Sequence, residues 1–458
     1  MSKLKNGMNA NGLIQKYNQP GPRYTSYPPV PFWKIAHWEA SDWIETIRKG
    51  QQLPEGKAIS IYVHLPYCES LCTFCGCHKY ITTNHSVEHA YIDTVLKEWE
   101  FIASHLAENT TIAEIHLGGG TPTFFAPKEL KRLIDGLTSH FSVSPDAEMG
   151  FEAHPNSTST DHLEVLHQSG FRRVSFGIQD YDPQVQQAIH RIQSHEQVSK
   201  CHYEAKQLGY TSISHDLVFG LPKQTVQGFE KTVRQTIEFK PDRLSLYSYA
   251  HVPWVKGTGQ RGYDENDLPT PEEKRALYEL AKALFLEAGY LEIAMDHFAL
   301  PEDELAKAYS SETLHRNFMG YTTNNTKVLI GLGMSAISDS WFGYAQNEKD
   351  LKSYQKRIEE TNHAWEKGHS LSTQDLETRK HINQLMCQFE TEIAPDSCME
   401  FEEIADQLIP LIDDGLVEIS GRKISVTKKG KPFVRNVCMA FDPYLKTPIS
   451  KPTFSMTI

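Results

Sequence analysis

From residue 58 onward, apolar and polar positions alternate between the spacing of strands and the spacing of helices. Short apolar runs predict strands, and apolar residues three or four positions apart predict amphipathic helices. The predicted strands are 58–64, 112–117, 148–153, 173–177, 212–219 and 243–249. The helices predicted between them are 87–106, 127–137, 160–168, 196–208 and 225–239. This order predicts an α/β fold with a parallel sheet, and a partial barrel and a doubly wound sheet share the same linear pattern.

The segments on either side of this pattern differ from it. A proline-rich stretch at 19–31 favours extended backbone, so the segment before the first strand is expected to be an irregular arm. Residues 296–345 are rich in Gly, Asn, Thr and Ser, and we expect functional loops or a lid there. Near the C-terminus the pattern predicts two helices and a hairpin, as in a small, mostly helical, winged-helix-like domain (375–389, 399–411 and 416–426). The predicted domains are an N-terminal arm (1–57), a central domain (58–365) and a C-terminal domain (366–458).

Composition and charge narrow the class of protein. The 458 residues are 39% hydrophobic and 23% charged, which is ordinary for a soluble globular protein. No apolar run is long enough to cross a bilayer and the first residues lack the apolar core of a signal peptide, so we expect a cytoplasmic protein without a membrane partner. A net charge of -12 argues against nucleic acid, and an anionic substrate would need a local group of Arg and Lys side chains.

The cysteines are concentrated in one short segment. Four of the eight fall between Cys68 and Cys77, and such clustering without a secretion signal favours a metal or cofactor over disulfides. The first three have the spacing C-x3-C-x2-C directly after a predicted strand. Three thiolates on one loop can hold three irons of a [4Fe–4S] cluster and leave the fourth iron open to S-adenosylmethionine. The alternative is a zinc site that uses all four cysteines, although zinc ligands more often come as two separated C-x2-C pairs.

The ends of the predicted strands carry a second, independent signal. Glycines and polar residues stand there, namely Gly118–Thr121, Glu152, Gln179, Asp216 and Tyr249–Ala250. In parallel α/β folds, ligands bind at the carboxyl ends of the strands. Glycines admit close backbone approach, and a carboxylate such as Glu152 can accept hydrogen bonds from ribose hydroxyls. These residues and the cysteine loop therefore predict one cofactor site at this edge of the sheet.

Several longer motifs support a specific family. They are Arg23-Tyr-Thr-Ser-Tyr-Pro, Gly118-Gly-Gly-Thr-Pro-Thr, Gly177-Ile-Gln-Asp, Asp216-Leu-Val-Phe-Gly-Leu-Pro, Met295-Asp-His-Phe, His315-Arg-Asn-Phe-Met-Gly-Tyr-Thr-Thr and Arg435-Asn-Val-Cys-Met. With them and the cysteine loop, the sequence resembles the oxygen-independent coproporphyrinogen III dehydrogenases of the radical S-adenosylmethionine superfamily. The resemblance covers nearly the whole chain.

The resemblance implies a fold and a set of cofactor ligands. The central domain would be a six-stranded partial (β/α) barrel of the TIM type, with one [4Fe–4S] cluster and two S-adenosylmethionine molecules in one site. Cys68, Cys72 and Cys75 would ligate the cluster, while Cys77 matches an extra cysteine that is not a ligand. The first S-adenosylmethionine would contact Tyr62, Gly119 and Glu152. The second would contact Phe74, Gly120, Thr121, Gln179, Arg191, Asp216, Ala250 and Ile337.

The resemblance also implies the reaction. Two propionates of coproporphyrinogen III are oxidatively decarboxylated to the vinyl groups of protoporphyrinogen IX, with an electron donor and an acceptor that the sequence does not identify. The protein is expected to act as a monomer. Because radicals must be shielded from water, the arm and residues 296–345 are expected to cover the site. Guanidinium groups suit the four substrate carboxylates, and the candidates by position are Arg23, Arg172, Arg173, Arg191 and Arg316.

Two alternatives share part of this pattern. One is the related group of haem-binding chaperones, which resembles the chain in the cysteine loop and barrel. That group typically has an aromatic residue where Cys77 stands and lacks the N-terminal arm. The other is a radical methyltransferase that opens haem for iron release.

Overall fold

The computed structural model describes residues 10–33, 38–254, 259–260, 262–446 and 454–457. In chain order the strands are β1 (Ala58–Leu65), β2 (Tyr67–Cys68), β3 (Tyr80–Ile81), β4 (Thr111–Gly119), β5 (Ser142–Ala153), β6 (Arg173–Gln179), β7 (Ser212–Phe219), β8 (Arg243–Ser248), β9 (Leu291–Ile293), β10 (His297–Ala299), β11 (His315–Asn317), β12 (Gly320–Thr322), β13 (Val328–Leu332), β14 (Ile337–Asp339), β15 (Gly343–Asn347), β16 (Trp365–Ser370), β17 (Glu390–Glu392), β18 (Val417–Ser420) and β19 (Lys423–Val426). The α-helices are α1 (Ala10–Tyr17), α2 (Ala40–Gln51), α3 (Val87–Ala103), α4 (Pro127–Leu137), α5 (Thr160–Gln168), α6 (Pro183–Ala188), α7 (His195–Leu208), α8 (Val226–Glu238), α9 (Pro271–Glu287), α10 (Glu304–Ser310), α11 (Leu351–Thr361), α12 (Thr373–Gln388), α13 (Phe401–Asp413) and α14 (Val434–Met439).

The six predicted strands form the parallel centre of one large sheet. Strands β1, β4, β5, β6, β7 and β8 lie side by side in that order, and every neighbouring pair is parallel. Helices connect successive strands, as a right-handed β/α succession requires. The parallel strand β13 lies beside β1, antiparallel strands extend the sheet beyond β13 and beyond β8, and the described sheet ends at β16 and β9 rather than closing. The predicted α/β fold with a partial barrel is confirmed.

Burial explains why these segments become strands and helices. Ile59, Ile61 and Val63 on one face of β1 are fully buried, and Ser60 and His64 on the other face are buried too, as expected for a strand covered on both faces. On α3 the core-facing positions include Tyr91 and Val95, four residues apart and fully buried. The main hydrophobic core therefore lies between the sheet and its outer helices, and the carboxyl edge of the sheet is left for polar residues.

The N-terminal arm contains more regular structure than expected. The prediction of an irregular segment is wrong for Ala40–Gln51, which forms the twelve-residue helix α2. Glu39 and Asp42 form a reciprocal capping box at its start, and Trp43 and Ile47 are buried against the barrel. The five prolines between residues 19 and 31 and the two tryptophans upstream obscured this short amphipathic pattern.

The expectation of loops at 296–345 is wrong as well. This segment contains the strands from β10 to β14, the beginning of β15 and the helix α10. Strand β13 is fully buried and pairs in parallel with β1, so it is a seventh parallel strand. Glycine is needed there for close approach, since a Cβ on Gly331 would lie 2.4 Å from the Ile337 carbonyl oxygen. The high glycine and serine content of residues 296–345 therefore reflects close packing of strands. Composition alone cannot distinguish closely packed strands from loops.

The C-terminal region has the predicted order of two helices and a hairpin. Helices α12 and α13 precede the hairpin β18–β19, and β17 adds a third strand to it. This unit shares one hydrophobic core with Leu13, Tyr17 and Tyr24 of the N-terminal arm. The predicted boundary at 365/366 falls at the start of β16, which pairs with β15 of the barrel sheet. Among the described helices, none is both long and apolar enough to span a bilayer.

Candidate functional site

A cavity of about 530 Å³ lies at the carboxyl ends of the parallel strands. The cysteine loop forms one wall, and the ends of β4 to β8 contribute much of the remainder. Twelve residues singled out from the sequence line it: Cys68, Cys72, Phe74, Cys75, Gly119, Gly120, Thr121, Glu152, Gln179, Arg191, Asp216 and Ala250. The structure thus brings the cysteine motif and the strand ends together, and we call this space the thiol cavity.

Backbone hydrogen bonds fix the cysteine loop against the glycine-rich end of β4. The amide of Gly120 donates to the Leu65 carbonyl at 2.8 Å, and the amide of Thr121 donates to the Tyr67 carbonyl at 3.0 Å. The Cys68 thiol lies 3.3 Å from the Thr121 hydroxyl. A Cβ on Gly120 would lie 2.5 Å from the Pro66 carbonyl oxygen, so only glycine permits this approach.

Two basic side chains contact the cysteine loop. Nη1 of Arg191 lies 3.7 Å from the Cys72 sulfur, and Nη2 donates to the Gly177 carbonyl at 2.7 Å. The Lys79 ammonium donates to the carbonyls of Cys75 and Cys77 at 3.0 and 3.3 Å. Nearby cations favour thiolates, which are the form that binds metal.

The thiols themselves differ in acidity. Burial raises the pKa of Cys68 to about 11. A hydrogen bond with the Cys77 thiol lowers the pKa of Cys75 to about 6. Since metal ligation requires deprotonated sulfur, ligation would release the proton from Cys68.

The arrangement of the thiols distinguishes between the two metal groups considered from the sequence. In the described part of the chain, no three His, Cys, Asp or Glu side chains converge as the ligands of a single metal ion do. One zinc ion needs four ligands within about 2.0–2.3 Å. A [4Fe–4S] cluster spreads its thiolates over separate irons, so its ligands stand around a larger group. Cys68, Cys72, Cys75 and Cys77 all line one open cavity, and three of these thiols are enough to hold a [4Fe–4S] cluster there.

Glu152, at the end of β5, lies beside the glycine turn of β4. Its Oε2 accepts a hydrogen bond from the Gly119 amide at 3.2 Å. Gly119 has φ +113°, a value that L-residues rarely adopt. Tyr62 does not line the thiol cavity: its ring lies behind Gly118, where a Cβ would be 3.1 Å from a ring carbon. Burial raises the pKa of the Tyr62 phenol well above its ordinary value.

The ends of β6 and β7 supply the opposite wall. Gln179 follows a β-bulge and has φ +67°, a strained conformation of the kind found at functional sites. Asp216 on β7 accepts a hydrogen bond from the Ser175 hydroxyl at 2.8 Å, and burial raises the pKa of its carboxyl. These two side chains, with Arg191, provide the polar groups of this wall.

Comparison with known proteins identifies the family. A family model described as the radical SAM superfamily matches residues 62–236. The oxygen-independent coproporphyrinogen III oxidase of Escherichia coli is 38% identical over 453 residues, which cover 97% of this chain and 98% of that protein. The chain belongs to the oxygen-independent coproporphyrinogen III oxidase family. The oxidase of Pseudomonas aeruginosa is also 38% identical, over 457 residues, 97% of this chain and 98% of that protein.

A solved oxidase structure confirms the fold. The structure titled "Coproporphyrinogen III oxidase (HemN) from Escherichia coli is a Radical SAM enzyme" matches with a TM-score of 0.89 at 37% identity. The match covers 96% of this chain and 99% of that one. Membership of a radical SAM family implies a [4Fe–4S] cluster and S-adenosylmethionine, which the cysteine spacing also predicts.

Gln260 of this oxidase-family chain connects two walls of the site, although the sequence analysis did not suggest it. Gln260 is 2% exposed, and its side-chain amide donates to the carbonyls of Phe74 and Ala250 at 3.2 and 3.0 Å. It thereby ties the cysteine loop to the end of β8. No motif marks Gln260, because it stands in an irregular stretch. The cavity is also lined by His154, Asn156, Ser157, Ser175, Tyr247 and Ser248.

The remaining candidates of this oxidase-family chain divide into two groups. Ile337 on β14 does not line the thiol cavity, and it lies against Gly331, the β13 partner of Tyr62. Arg23 and Arg191 do line it. The candidacy of Arg172 and Arg173 for substrate binding is wrong, since both stand at the amino end of β6, away from the site.

Their partners explain why these two arginines are structural. Arg172 donates to the His167 carbonyl at 2.7 Å, and Arg173 forms an ion pair with Glu148 at 2.7 Å. Arg316 is half-buried and lies against the ring of Tyr321, with its guanidinium carbon 4.5 Å from the ring centre.

Proposed function

We propose that this protein is a radical S-adenosylmethionine enzyme that converts coproporphyrinogen III to protoporphyrinogen IX in haem biosynthesis without oxygen. The observation that carries the proposal is a cavity in which the four thiols of one loop, including the three assigned to the cluster, face the polar ends of parallel strands. Relatives of nearly the same length bear the name of this activity. In the reaction each of two propionates loses one hydrogen atom, one electron and CO₂ and becomes a vinyl group.

Different residues of the thiol cavity bind the cluster and compensate its charge. Cys68, Cys72 and Cys75 hold the cluster, and Cys77 lies beside them without ligating it. When bound, the cluster and S-adenosylmethionine would supply a 5′-deoxyadenosyl radical, which would abstract the hydrogen atom from the propionate. The chain itself binds and orients these groups, and Arg191 and Lys79 compensate part of the negative charge of the thiolates.

We place two S-adenosylmethionine molecules in this cavity. Two carboxylates, Glu152 on β5 and Asp216 on β7, stand at separate strand ends and can each accept hydrogen bonds from one ribose. Glu152 and Gly119 form the first site, and Tyr62 supports it from behind Gly118, outside the cavity lining. The second is formed by Phe74, Gly120, Thr121, Gln179, Arg191, Asp216 and Ala250. Ile337, which the family resemblance adds to the second site, lies outside the lining against Gly331. Gln260 supports the second site, because it holds the carbonyls of Phe74 and Ala250 in place.

The N-terminal arm closes one side of the site. Arg23 lines the thiol cavity and donates to the Ser248 carbonyl at 3.1 Å. Exclusion of water protects a radical, so removing the cover should separate cofactor cleavage from product formation. Deletion of residues 1–30 is expected to leave cleavage of S-adenosylmethionine and to abolish protoporphyrinogen. An unchanged ratio of the two products would contradict the covering role.

The partners and location follow from charge and thiol chemistry. All eight cysteines are free thiols, which supports a reducing, cytoplasmic setting. A net charge of -12 supports a small-molecule substrate over nucleic acid. We propose a monomer with an arm, a catalytic barrel domain and a C-terminal domain, which exchanges electrons with a separate donor and acceptor.

Anaerobic reconstitution tests the function. The protein is loaded with iron and sulfide and incubated with coproporphyrinogen III, S-adenosylmethionine and a reductant, and the products are separated by chromatography. Protoporphyrinogen with CO₂ supports the proposal. An intact cluster without decarboxylated product overturns it, and bound haem without turnover or a methylated linear tetrapyrrole would identify the two alternatives.

Two cysteine variants test the ligand set in the same experiment. Cys72→Ala is expected to lose both the cluster and turnover. Cys77→Ala is the matched control, and it is expected to keep the iron content and the cluster absorption. Loss of the cluster in Cys77→Ala would show that the assignment of three ligands is wrong.

A further inference from the structure

Behind Glu152, a row of residues stands in register across four parallel strands. Tyr62 of β1 pairs with His116 of β4. Gly150 of β5 stands between His116 and Arg173 of β6 and pairs with both. Glu152 lies two residues beyond Gly150 on the same strand, so its side chain points to the same face of the sheet. Because Glu152 lines the thiol cavity, this row ends at a wall of the site.

The glycine in this row gives the arginine access to the histidine. A Cβ on Gly150 would lie 2.9 Å from the central carbon of the Arg173 guanidinium, so a larger residue would displace that group. Nη2 of Arg173 lies 3.4 Å from Nδ1 of His116, and its Nε forms an ion pair with Glu148 at 2.7 Å. The ion pair fixes the position of the guanidinium, which crosses the bare backbone of Gly150 to reach the imidazole.

The contact with Arg173 determines which ring nitrogen of His116 carries the proton. A guanidinium group only donates hydrogen bonds, so Nδ1 has to accept and the proton of the neutral ring stands on Nε2. Nε2 lies 3.7 Å from Oε1 of Glu152, so a small movement brings the two atoms to hydrogen-bond distance. The Tyr62 ring is stacked on the imidazole, with the ring centres 6.1 Å apart and the planes 13° from parallel. The row therefore presents one oriented N–H group to the carboxylate.

Glu152 is approached by the protein at both of its oxygens. Oε2 accepts a hydrogen bond from the Gly119 amide at 3.2 Å, and Oε1 faces His116. The His116 side chain is 9% exposed and that of Glu152 is 47% exposed, so the histidine stays inside the barrel while the carboxylate extends into the thiol cavity. A carboxylate has about four lone-pair directions, so these two contacts leave acceptor capacity for the hydroxyls of a ligand.

We propose that His116 is a positioning residue that orients Glu152 toward the ribose hydroxyls of the first S-adenosylmethionine. The proposal rests on the proposed function, because that function places this ribose at Glu152. A carboxylate held at one oxygen can still swing within a wide cavity, and a second contact restricts it to one orientation. A group that is already oriented loses less conformational freedom on binding, so the ligand is bound more tightly. His116 itself is not part of the lining, so it acts through Glu152.

The test measures binding at the first site by electron paramagnetic resonance of the reduced, cluster-loaded enzyme. Ligation of the open iron by S-adenosylmethionine changes the spectrum of the cluster, so a titration reports this site without any turnover. His116→Phe keeps an aromatic ring and removes the N–H group, and it is expected to raise the Kd about tenfold, as the loss of a hydrogen bond to a charged group does. His116→Gln returns an N–H donor at the reach of Nε2 and is expected to restore most of the affinity.

A ligand analogue and a double variant separate positioning from packing. With a dideoxyribose analogue of S-adenosylmethionine, which lacks both ribose hydroxyls, His116→Phe is expected to bind as tightly as the wild type. In a Glu152→Ala background, adding His116→Phe is expected to change the Kd no further. His202→Phe is the matched control, because His202 is also buried, lies on α7 and already has its ring 5.4 Å from that of Phe239. It is expected to leave the Kd of both ligands unchanged.

The outcomes distinguish the positioning role from the proposed function. An unchanged Kd for S-adenosylmethionine in His116→Phe overturns the role, and so does an equal rise for the dideoxyribose analogue, because the effect would then arise from packing. If His116→Phe does not fold, His116→Asn takes its place, since its shorter amide falls short of Glu152, and the same readings apply. Turnover of coproporphyrinogen III by the wild type supports the proposed function in each case. A wild-type cluster that does not respond to S-adenosylmethionine overturns both proposals.

Discussion

Two groups of arginines lie at opposite ends of the barrel, and they differ in the partners that hold them. At the amino ends of the strands, Arg173 pairs with Glu148 at 2.7 Å and Arg243 pairs with Asp303 at 2.7 Å. Arg243 also lies 4.0 Å from Glu148, so both arginines share that carboxylate.

Around a cavity of about 80 Å³ beside the thiol cavity, which we call the cationic cavity, Arg23 and Arg435 instead donate hydrogen bonds to backbone carbonyls. The first group, the barrel-base cluster, pairs each arginine with a carboxylate, whereas the second group joins the N-terminal arm to the strand ends and to the C-terminal region through carbonyl groups. The difference separates ion pairing within the barrel from hydrogen bonding between its outer segments.

The largest expected effect comes from breaking the barrel-base cluster. Glu148→Ala leaves Arg173 and the buried Arg243 with one carboxylate fewer. Removing one partner of a fully buried ion pair costs about 3–5 kcal/mol, and because the Arg173 and Glu148 side chains are 20% and 19% exposed, the low end of about 3 kcal/mol is expected. We expect the free energy of unfolding to fall by that amount in denaturant titrations. A loss below about 1 kcal/mol would show that the two charge groups do not differ as described.

Removing the charge of Lys274, which lines the cationic cavity, should have an effect that depends on pH. Burial and then the charges of Arg23 and Arg435 lower the pKa of Lys274 to about 8, from its ordinary value of 10.5. Between these values the unfolded chain binds more protons, so the stability of the wild type rises with pH. The free energy of unfolding of the wild type relative to Lys274→Met is therefore expected to rise by about 3 kcal/mol from pH 8 to pH 10.5, since each pKa unit corresponds to about 1.4 kcal/mol. Parallel unfolding curves of the two proteins across this range would contradict the lowered pKa.

A smaller effect on the free energy of unfolding is expected from Glu114, a carboxyl next to the barrel-base cluster. Burial and the charge of Glu148 raise the pKa of Glu114 to about 7, above its ordinary value of 4.5. The folded protein then holds more protons than the unfolded chain in this interval, so stability is greatest at low pH and falls as the pH rises through 7. Relative to Glu114→Gln, the wild type should lose about 2 kcal/mol between pH 5.5 and 7. Thermal unfolding at matched ionic strength measures it.

The smallest effect on the free energy of unfolding is expected at an exposed ion pair, which serves as the reference for the buried variants. Glu230 and Arg234 form an exposed ion pair one turn apart on α8, at 2.8 Å. Because solvent and salt screen such pairs, Glu230→Gln is expected to change the free energy of unfolding by less than about 0.5 kcal/mol. A larger change would mean that the differences among the buried variants cannot be assigned to burial.

The two cavities also differ in how far the sequence predicts them. The thiol cavity depends on short motifs, because Cys68–Cys77 is one loop and parallel strand ends meet at one edge. The cationic cavity joins residues whose spacing carries no signal, such as Arg435 and Gly21, which lie 414 positions apart. The prediction that Arg172 and Arg173 bind the substrate is wrong because Arg172 precedes β6 and Arg173 begins it. Residues at the start of a parallel strand lie away from its carboxyl edge. Strand β13 was missed because its glycines resemble those of a loop.

The contacts of Arg435 also constrain how the protein is made. Its guanidinium joins the carbonyls of Gly21 and Pro22 to that of Met456, and Pro20 pairs with Met456 as a β-bridge. A ribosome therefore has to translate past residue 456 before the arm can dock, while the cysteine loop and its strands emerge far earlier. Domains generally fold from the N-terminal side during synthesis, so the barrel can assemble before the arm docks against the C-terminal region. The nascent chain consequently acquires its thiol loop first and its cationic cavity only on completion.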